Sequence, residues 1–338
     1  MNKKRVLAML LAGAMALSMT ACGSNSASTD GSSNDGGASA SGGSYKVSVI
    51  LKTLAAEYWQ YVKSGAEDYA SEHSDKVTVE VKGPSSETAF DEMQNMIETD
   101  LSSGTYDGIV ISPLQSDTAA QLVSGTKLPI VAIDTNFTAP EVKSFVGTGN
   151  EAAAKKGGEA AVEAAKAAGW TDIKCIEIAG VQGDQTNTAR MNGYKAGVEE
   201  AGGTFLSDEV QYADATADRA TTAMEAIMQT HPEGIAIICA NNDDMAMAAA
   251  RAAQGHDAYK NTIFLGFNGD RAACEAILDG QMTMSVAQMA YEMGYKAVET
   301  MVQVLDGETV DEFVDSGSDV VTPDNAQERL DTLKTQLH

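Results

Sequence analysis

Beyond residue 44 the chain alternates between short apolar runs and longer stretches whose apolar residues return every three or four positions. The runs are YKVSVIL, VTVEV, GIVIS, LPIVAID, SFVG, DIKCIEIAG, GTFLSDEV, GIAIICA, TIFLGF and MTMSVAQ. Between them, Phe90, Met93, Ile97 and Leu101 fall on one helical face with acidic residues opposite. Strand–helix alternation of this kind predicts parallel sheets covered by helices on both faces. GIAIICA is apolar almost throughout and reads as a central strand; VTVEV alternates and reads as one nearer an edge. The tail VTPDNAQERLDTLKTQL starts with Pro323 and Asp324, a helix start signal, and reads as a terminal helix.

The first 22 residues do not belong to this pattern. Lys3, Lys4 and Arg5 form a basic start, Val6 to Met19 an apolar stretch too short to span as a mature anchor, and Thr20-Ala21-Cys22 closes it. The segment resembles a bacterial lipoprotein signal with Cys22 as the lipidated new N-terminus, although Met19 stands where leucine is usual. Residues 23–44 are almost only Gly, Ser, Ala, Asn, Asp and Thr, a composition that builds no core and reads as a flexible tether. A long tether after a lipidated cysteine points to a surface lipoprotein of the Gram-positive type. The remaining ~290 residues are too many for one typical core and comfortable for two. Gly147-Thr148-Gly149-Asn150, followed by an alanine-rich helix, marks a boundary between two α/β halves.

Formal net charge is −25, from 48 acidic against 23 basic residues, which repels phosphate backbones and excludes nucleic acid as a partner. Four scattered histidines and no Cys-x-x-Cys spacing provide no metal site. Cys175 and Cys239 lie in apolar strand-like runs and read as buried free thiols, with a disulfide between them the alternative; Cys274 completes an odd set. Gly147-Thr148-Gly149-Asn150-Glu151-Ala152 matches a dinucleotide fingerprint, yet it does not open the first β–α unit, and the next strand ends Ile178-Ala179-Gly180 without the acidic residue such a site needs. A chain crossing explains these glycines better. No catalytic signature is found, so the chain reads as neither an enzyme nor a cofactor carrier.

Ligands of open α/β sheets bind at the carboxyl ends of strands. Those positions hold Lys52, Asp134 with Thr135, Asn241 with Asn242, Asn268 with Asp270, and Gln288. Each could be a turn, a helix cap or a solvated strand end. Their recurrence at one kind of position is harder to dismiss. Arg190 joins them, because it falls near a helix start, where the backbone half-charge does not favour a cation.

Taken in order, KTLAAEYW, VAIDT, ARMNGY, HPEGIAIICANNDDMAMAAARA, LGFNGD and MTMSVAQM resemble the ribose-, allose- and galactose-binding proteins of bacterial ABC importers, with Lys52 and Trp59 closest to the allose branch. The resemblance implies a type I periplasmic binding protein: two Rossmann-like α/β domains with parallel sheets joined by a three-segment hinge. It implies domains of 45–148 plus 289–312 and of 149–288 plus 313–338. Lys52, Tyr58, Trp59, Asp134 and Thr135 then fall on ligand positions of the first, and Arg190, Asn242, Asn268 and Gln288 on those of the second domain and hinge. Trp59, off the core stripe of Tyr58, Val62, Gly65 and Tyr69, is the better stacking surface for a sugar ring. Thr135, Ala215 and Asn268 depart from the family, which has arginine, an aromatic wall and aspartate there. The departures imply a roomier, less negative site, with Tyr212 as a substitute wall or a ligand larger than ribose: a hexose, a cyclitol or a sugar whose anionic group faces Lys52 and Arg190. The implied role is monosaccharide capture by hinge closure and delivery, as a monomer, to an ABC permease and its ATPase subunit, with the membrane touched through the lipid alone. A surface sensor presenting the sugar to a membrane receptor or kinase is the alternative, which neighbouring genes discriminate.

Overall fold

A computed structural model describes residues 44–337. The signal segment, the Cys22 lipidation site and all but the last residue of the tether lie outside the described residues. Among the described residues no helix is long and apolar enough to cross a membrane.

The chain begins β1 (Tyr45–Ile50), α1 (Glu57–Glu72), β2 (Val77–Lys82), α2 (Phe90–Ser103), β3 (Gly108–Ile111), α3 (Ser116–Val123), β4 (Ile130–Ile133) and β5 (Val142–Gly147). It continues through α4 (Asn150–Ala167), β6 (Lys174–Ala179), α5 (Gln185–Glu200), β7 (Thr204–Phe205), β8 (Gln211–Tyr212), α6 (Ala217–Thr230), β9 (Ile237–Ala240), α7 (Asp243–Ala253), β10 (Ile263–Asn268), α8 (Arg271–Leu278) and β11 (Met284–Gln288). It closes with α9 (Ala290–Leu305), β12 (Phe313–Asp315), β13 (Ser318–Val321) and α10 (Ala326–Leu333).

These strands form two sheets, ordered β12-β5-β4-β3-β1-β2 and β13-β11-β10-β9-β6-β7, with β8 also paired to β6. The first strand made is internal in both, β1 between β2 and β3 and β6 between β7 and β9, the doubly wound order whose reversal opens a crevice at the strand carboxyl ends. All pairings are parallel except β11 with β13. The central strands β3, β4 and β9 are buried at every residue, and VTVEV is the edge strand β2. Each fully buried Ile or Val contributes roughly 1.5–3 kcal/mol.

The chain passes between the sheets at Thr148–Gly149, at Met289 and at Ser316–Gly317. The crossings touch one another, with Ser316 N donating to Gly147 O at 2.8 Å and the hydroxyls of Thr148 and Ser316 3.3 Å apart. The third crossing lies later than the sequence implied: Phe313–Asp315 pairs in parallel with β5 in the first sheet, and only Ser318–Val321 joins the second. Neither strand was visible as an apolar run, because one is mostly exposed and the other polar at its start. GTFLSDEV likewise contracts to Thr204–Phe205, followed by a 3-10 turn at Ser207–Glu209.

A helix following a crossing packs on each lobe with its backbone against its neighbour. In the first lobe Gly65 of α1 and Gly294 of α9 each sit where a Cβ would strike the facing helix's carbonyl, of Tyr291 and Val62 respectively. Gly193 and Gly197 of α5 meet α4 in the same way in the second. Cys175 and Cys239 are free and fully buried, their sulfurs 3.2 Å apart. Cys175 pairs with Ile237 and Cys239 with Glu177, so the cysteines stand two residues out of register on adjacent strands. A sulfur separation of 3.2 Å exceeds the ~2.05 Å of an S–S bond, so the two thiols touch without being bonded.

Candidate ligand-binding site

The carboxyl ends of both sheets face one cleft, whose enclosed volume is about 60 Å³. The first lobe lines it with Lys52, Tyr58, Trp59, Glu87 and Asp134, and the second with Asp184, Asn187, Arg190, Asn242 and Asn268, among others. A larger hollow of about 410 Å³ lies at the amino ends of β10 and β11, edged by charges of both signs such as Arg251, Lys260 and Asp279. It gathers no strand carboxyl ends, so the smaller cleft is the better site.

Asp134 follows β4 with φ of 62°, and Asn268 ends β10 with φ of 139°. A non-glycine residue in either conformation costs ~1–3 kcal/mol and persists where its surroundings over-determine it. Around Asp134 they do: Tyr58 Oη donates to Oδ1 at 2.8 Å and Thr135 Oγ1 to Oδ2 at 2.9 Å. Burial and the Asp134 charge hold the Tyr58 hydroxyl well above its ordinary pKa, so it stays a donor. Tyr58 also packs edge-on against Trp59, ring centroids 4.9 Å apart. Trp59 is almost fully buried but borders the cleft, and its Nε1 donates to Glu87 Oε1 at 3.0 Å.

Across the cleft, Arg190 is buried rather than solvated at a helix start. Its Nε donates to Asn150 Oδ1 and its Nη1 to Asn241 O, both at 2.8 Å, and the guanidinium lies 3.8 Å over the Phe267 ring. Carbonyl, amide and ring thus offset the unfavourable helix end. Among the described residues no hydrogen bond engages Nη2. Lys52 is ion-paired with Asp184 across the cleft, both side chains buried. Burial opposes the lysine's charge, but Asp184, Asp134 and Glu87 outweigh it and raise its pKa. Asp184 also caps α5, its Oδ1 accepting from Asn187 N at 2.8 Å. A second link between the lobes joins the hydroxyls of Thr135 and Thr186 at 2.7 Å.

Several expectations change. Thr135 lies behind Asp134 and does not line the cleft. Gln288 is fully buried, its Nε2 donating to Asn268 Oδ1 at 3.0 Å, and it too stays out of the lining. Asn242 lines the cleft but its amide is spent locally, Oδ1 capping α7 at Met245 N and Nδ2 donating to Ala215 O. Tyr212 is 43% exposed and outside the cavity, so it is no substitute wall for Ala215. The cleft is not depleted of negative charge either, since Glu87, Asp184 and Asp244 join Asp134 in its lining. Nor is the enclosed space large.

Sequence reasoning missed Glu87 and Asp184. Glu87 stands five residues past the end of β2, on a loop whose path only tertiary packing sets. Asp184 carried a legible signal, an aspartate just before a helical run in Gly183-Asp184-Gln185, which is an N-cap pattern.

Two doubly wound lobes, crossed three times by the chain and meeting around a polar cleft at their strand ends, define a receptor that encloses a small solute. The chain belongs to the periplasmic binding protein domain family, whose sequence profile matches residues 47–309. It is 30% identical over 264 residues to the D-allose-binding periplasmic protein of Escherichia coli K12, covering 75% of this chain and 82% of that one. It is 28% identical over 268 residues to the ribose import binding protein of the same organism, covering 78% and 86%. A solute-binding protein of an ABC transporter from Agrobacterium vitis, solved with bound D-fucose, shares the fold with a TM-score of 0.76 at 24% identity over 87% of this chain and 100% of that one. These relatives are binding proteins of transport systems rather than enzymes.

Proposed function

We propose that the chain captures an uncharged monosaccharide, a hexose or a related sugar, between its lobes and hands it to an ABC permease. The observation that carries this reading is Asp134: a carboxylate in a costly backbone conformation, aimed into the cleft by Tyr58 and Thr135 and opposed by Arg190. Sugar hydroxyls donate and accept at once, so a carboxylate and a guanidinium on opposite walls bind one ring in a fixed orientation. Trp59 and Tyr58 border the same space and offer an apolar face to ring C–H groups. The ribose, D-allose and D-fucose named for the relatives are all uncharged sugars.

An anionic group on the sugar is disfavoured. Lys52 already has Asp184 as its counter-ion, and the cleft carries more carboxylates than cations. Because the sugar touches both lobes only when they are closed, binding shifts the equilibrium toward the closed form, which the permease reads. In this reading Cys22 carries the lipid, the tether holds the receptor off the outer face of the cytoplasmic membrane, and a separate subunit supplies ATP hydrolysis. The receptor acts as a monomer.

The test is a thermal-unfolding panel of pentoses, hexoses, cyclitols, sugar acids and sugar phosphates. A true ligand at 100 to 1,000 times its Kd adds about 2.7–4.1 kcal/mol of stability. A panel in which no sugar moves the transition excludes the proposed solute class. One in which only acids or phosphates move it excludes the uncharged ligand.

A further inference from the structure

We infer that Arg329, on the terminal helix and outside the cleft, is a positioning residue for sugar binding: it clamps from behind the turn that brings Asn268 to the ligand and the strand end that leads into a crossing. The inference rests on the sugar-binding reading above.

Arg329 Nε donates to Gly269 O at 3.2 Å, Nη2 donates to Gln288 O at 2.6 Å, and Nη1 lies 3.2 Å from Met289 Sδ. Among the described residues no carboxylate lies within ion-pair distance of this guanidinium. A cation is thus spent on two carbonyls, one just past the end of β10 and one at the end of β11. Hydrogen bonds from a charged donor are shorter and stronger than neutral ones. The planar guanidinium reaches both carbonyls at once; a lysine ammonium on the same stem has no such fork.

The opposite side of the same turn is gripped by an anion. Asp243 is fully buried at the start of α7; Oδ2 accepts from Asp270 N at 3.0 Å and Oδ1 accepts from Ser285 Oγ at 2.6 Å. Ser285 Oγ in turn accepts from Gly269 N at 3.0 Å. The Gly269 and Asp270 N–H groups are therefore held by Ser285 and Asp243, and the Gly269 carbonyl by Arg329. Asn268 at φ of 139° needs such a grip to keep a conformation that an unrestrained chain leaves, while Gly269 at φ of 66° adopts its own freely. The order reaches the cleft through Gln288, whose Nε2 fixes Asn268 Oδ1 and whose own carbonyl Arg329 holds.

The test compares the full chain with Arg329→Met and Arg329→Lys, using D-allose and D-ribose as probes. For whichever sugar the wild type binds, Arg329→Met is expected to raise Kd about 10-fold, through faster dissociation, and Arg329→Lys to recover less than half of that loss on a logarithmic scale. A purely structural arginine lowers the melting temperature but leaves Kd unchanged, and that result overturns the inference, as does full rescue by lysine. Amide exchange reads the clamp with no sugar present. In Arg329→Met the Gly269 and Asp270 amides are expected to exchange at least 10-fold faster while Asp134 keeps its rate; unchanged rates overturn the clamp. Failure of the wild type to bind either probe counts against the sugar reading, and the exchange rates then decide the clamp by themselves.

Discussion

The lobes share a strand order but bring different chemistry to the cleft. The first presents charge and aromatic surface: Lys52, Glu87 and Asp134, with Tyr58 and Trp59. The second presents four amides, Arg190 and the carboxylates of Asp184 and Asp244, and its Asn187, Arg190 and Asn241 are already tied to each other and to neighbouring backbone and amide groups. Their strained turns differ in the same way. Asp134 is held by two hydroxyl donors, whereas the Asn268 turn is held by backbone contacts to Asp243, Ser285 and Arg329. One strained turn is thus fixed through its own carboxylate, which borders the cleft, and the other through its backbone, which leaves the Asn268 side chain to Gln288 and Asp270.

The sharpest way to break this comparison is to remove one turn's side chain at a time. Asp134→Ala is expected to weaken sugar binding at least 100-fold by calorimetry with its circular dichroism unchanged, since it deletes the strongest acceptor in the cleft. Asn268→Ala, whose carbonyl oxygen already serves Gln288, is expected to cost about 10-fold. Equal losses would erase the proposed asymmetry.

Next in size is a pH effect confined to the second lobe. Glu177 on β6 is fully buried, with Asn241 Nδ2 3.4 Å from Oε1 and, among the described residues, no hydrogen-bond partner for Oε2. Burial pushes its carboxyl up to about 8, with Asn241 and the Arg190 charge opposing the rise. Between the ordinary carboxyl range and that value the native state keeps a proton that the unfolded chain has released. Its contribution to stability therefore falls as pH rises through this window and levels off above it. Glu177→Gln, which keeps the shape without the charge, should match the wild type near pH 5 and be more stable near pH 9, by on the order of 2–4 kcal/mol in urea titrations. A constant difference across pH would mean that Glu177 carries no native-state proton.

The ion pair between the lobes is a further test. Asp184→Asn keeps the helix cap but leaves the buried Lys52 without its counter-ion, and should destabilise the closed form by about 2–4 kcal/mol. Adding Lys52→Met is expected to recover about half of this in a double-mutant cycle. The smallest effect belongs to Trp59→Phe, which retains apolar surface but drops the hydrogen bond to Glu87, and should cost about 1 kcal/mol in binding.

Much of this was legible in the chain because burial on both faces writes an unambiguous pattern. GIAIICA reads as a central strand and is one, LPIVAID reads as a strand and holds β4, and Lys52, Asp134 and Asn268, at or just after strand ends, border the cleft. The strands β12 and β13 were not legible, because short, half-exposed strands of mixed polarity leave no periodic signal. Thr135 and Gln288 were placed one layer too far forward. A positive φ at Asp134 sends neighbouring side chains to different sides of the turn, and no local pattern reports it. Asn242 shows the opposite limit, since its cap role and a ligand role share one sequence signature.

The three crossings also bear on the order in which the molecule can be completed. Residues 150–288 contain six of the seven strands of the second sheet as one uninterrupted stretch, whereas the first lobe must wait for α9 and β12 to return from beyond it. A chain made from its amino end therefore completes the first sheet at β12 and the second only at β13, although most of the second sheet is made in between. The earliest lobe carries the longer-range pairings, such as β5 with β12, and these close slowly. A chain stopped just after Asp315 would contain every strand of the first sheet yet lack β13, α10 and the arginine that stands behind the Asn268 turn.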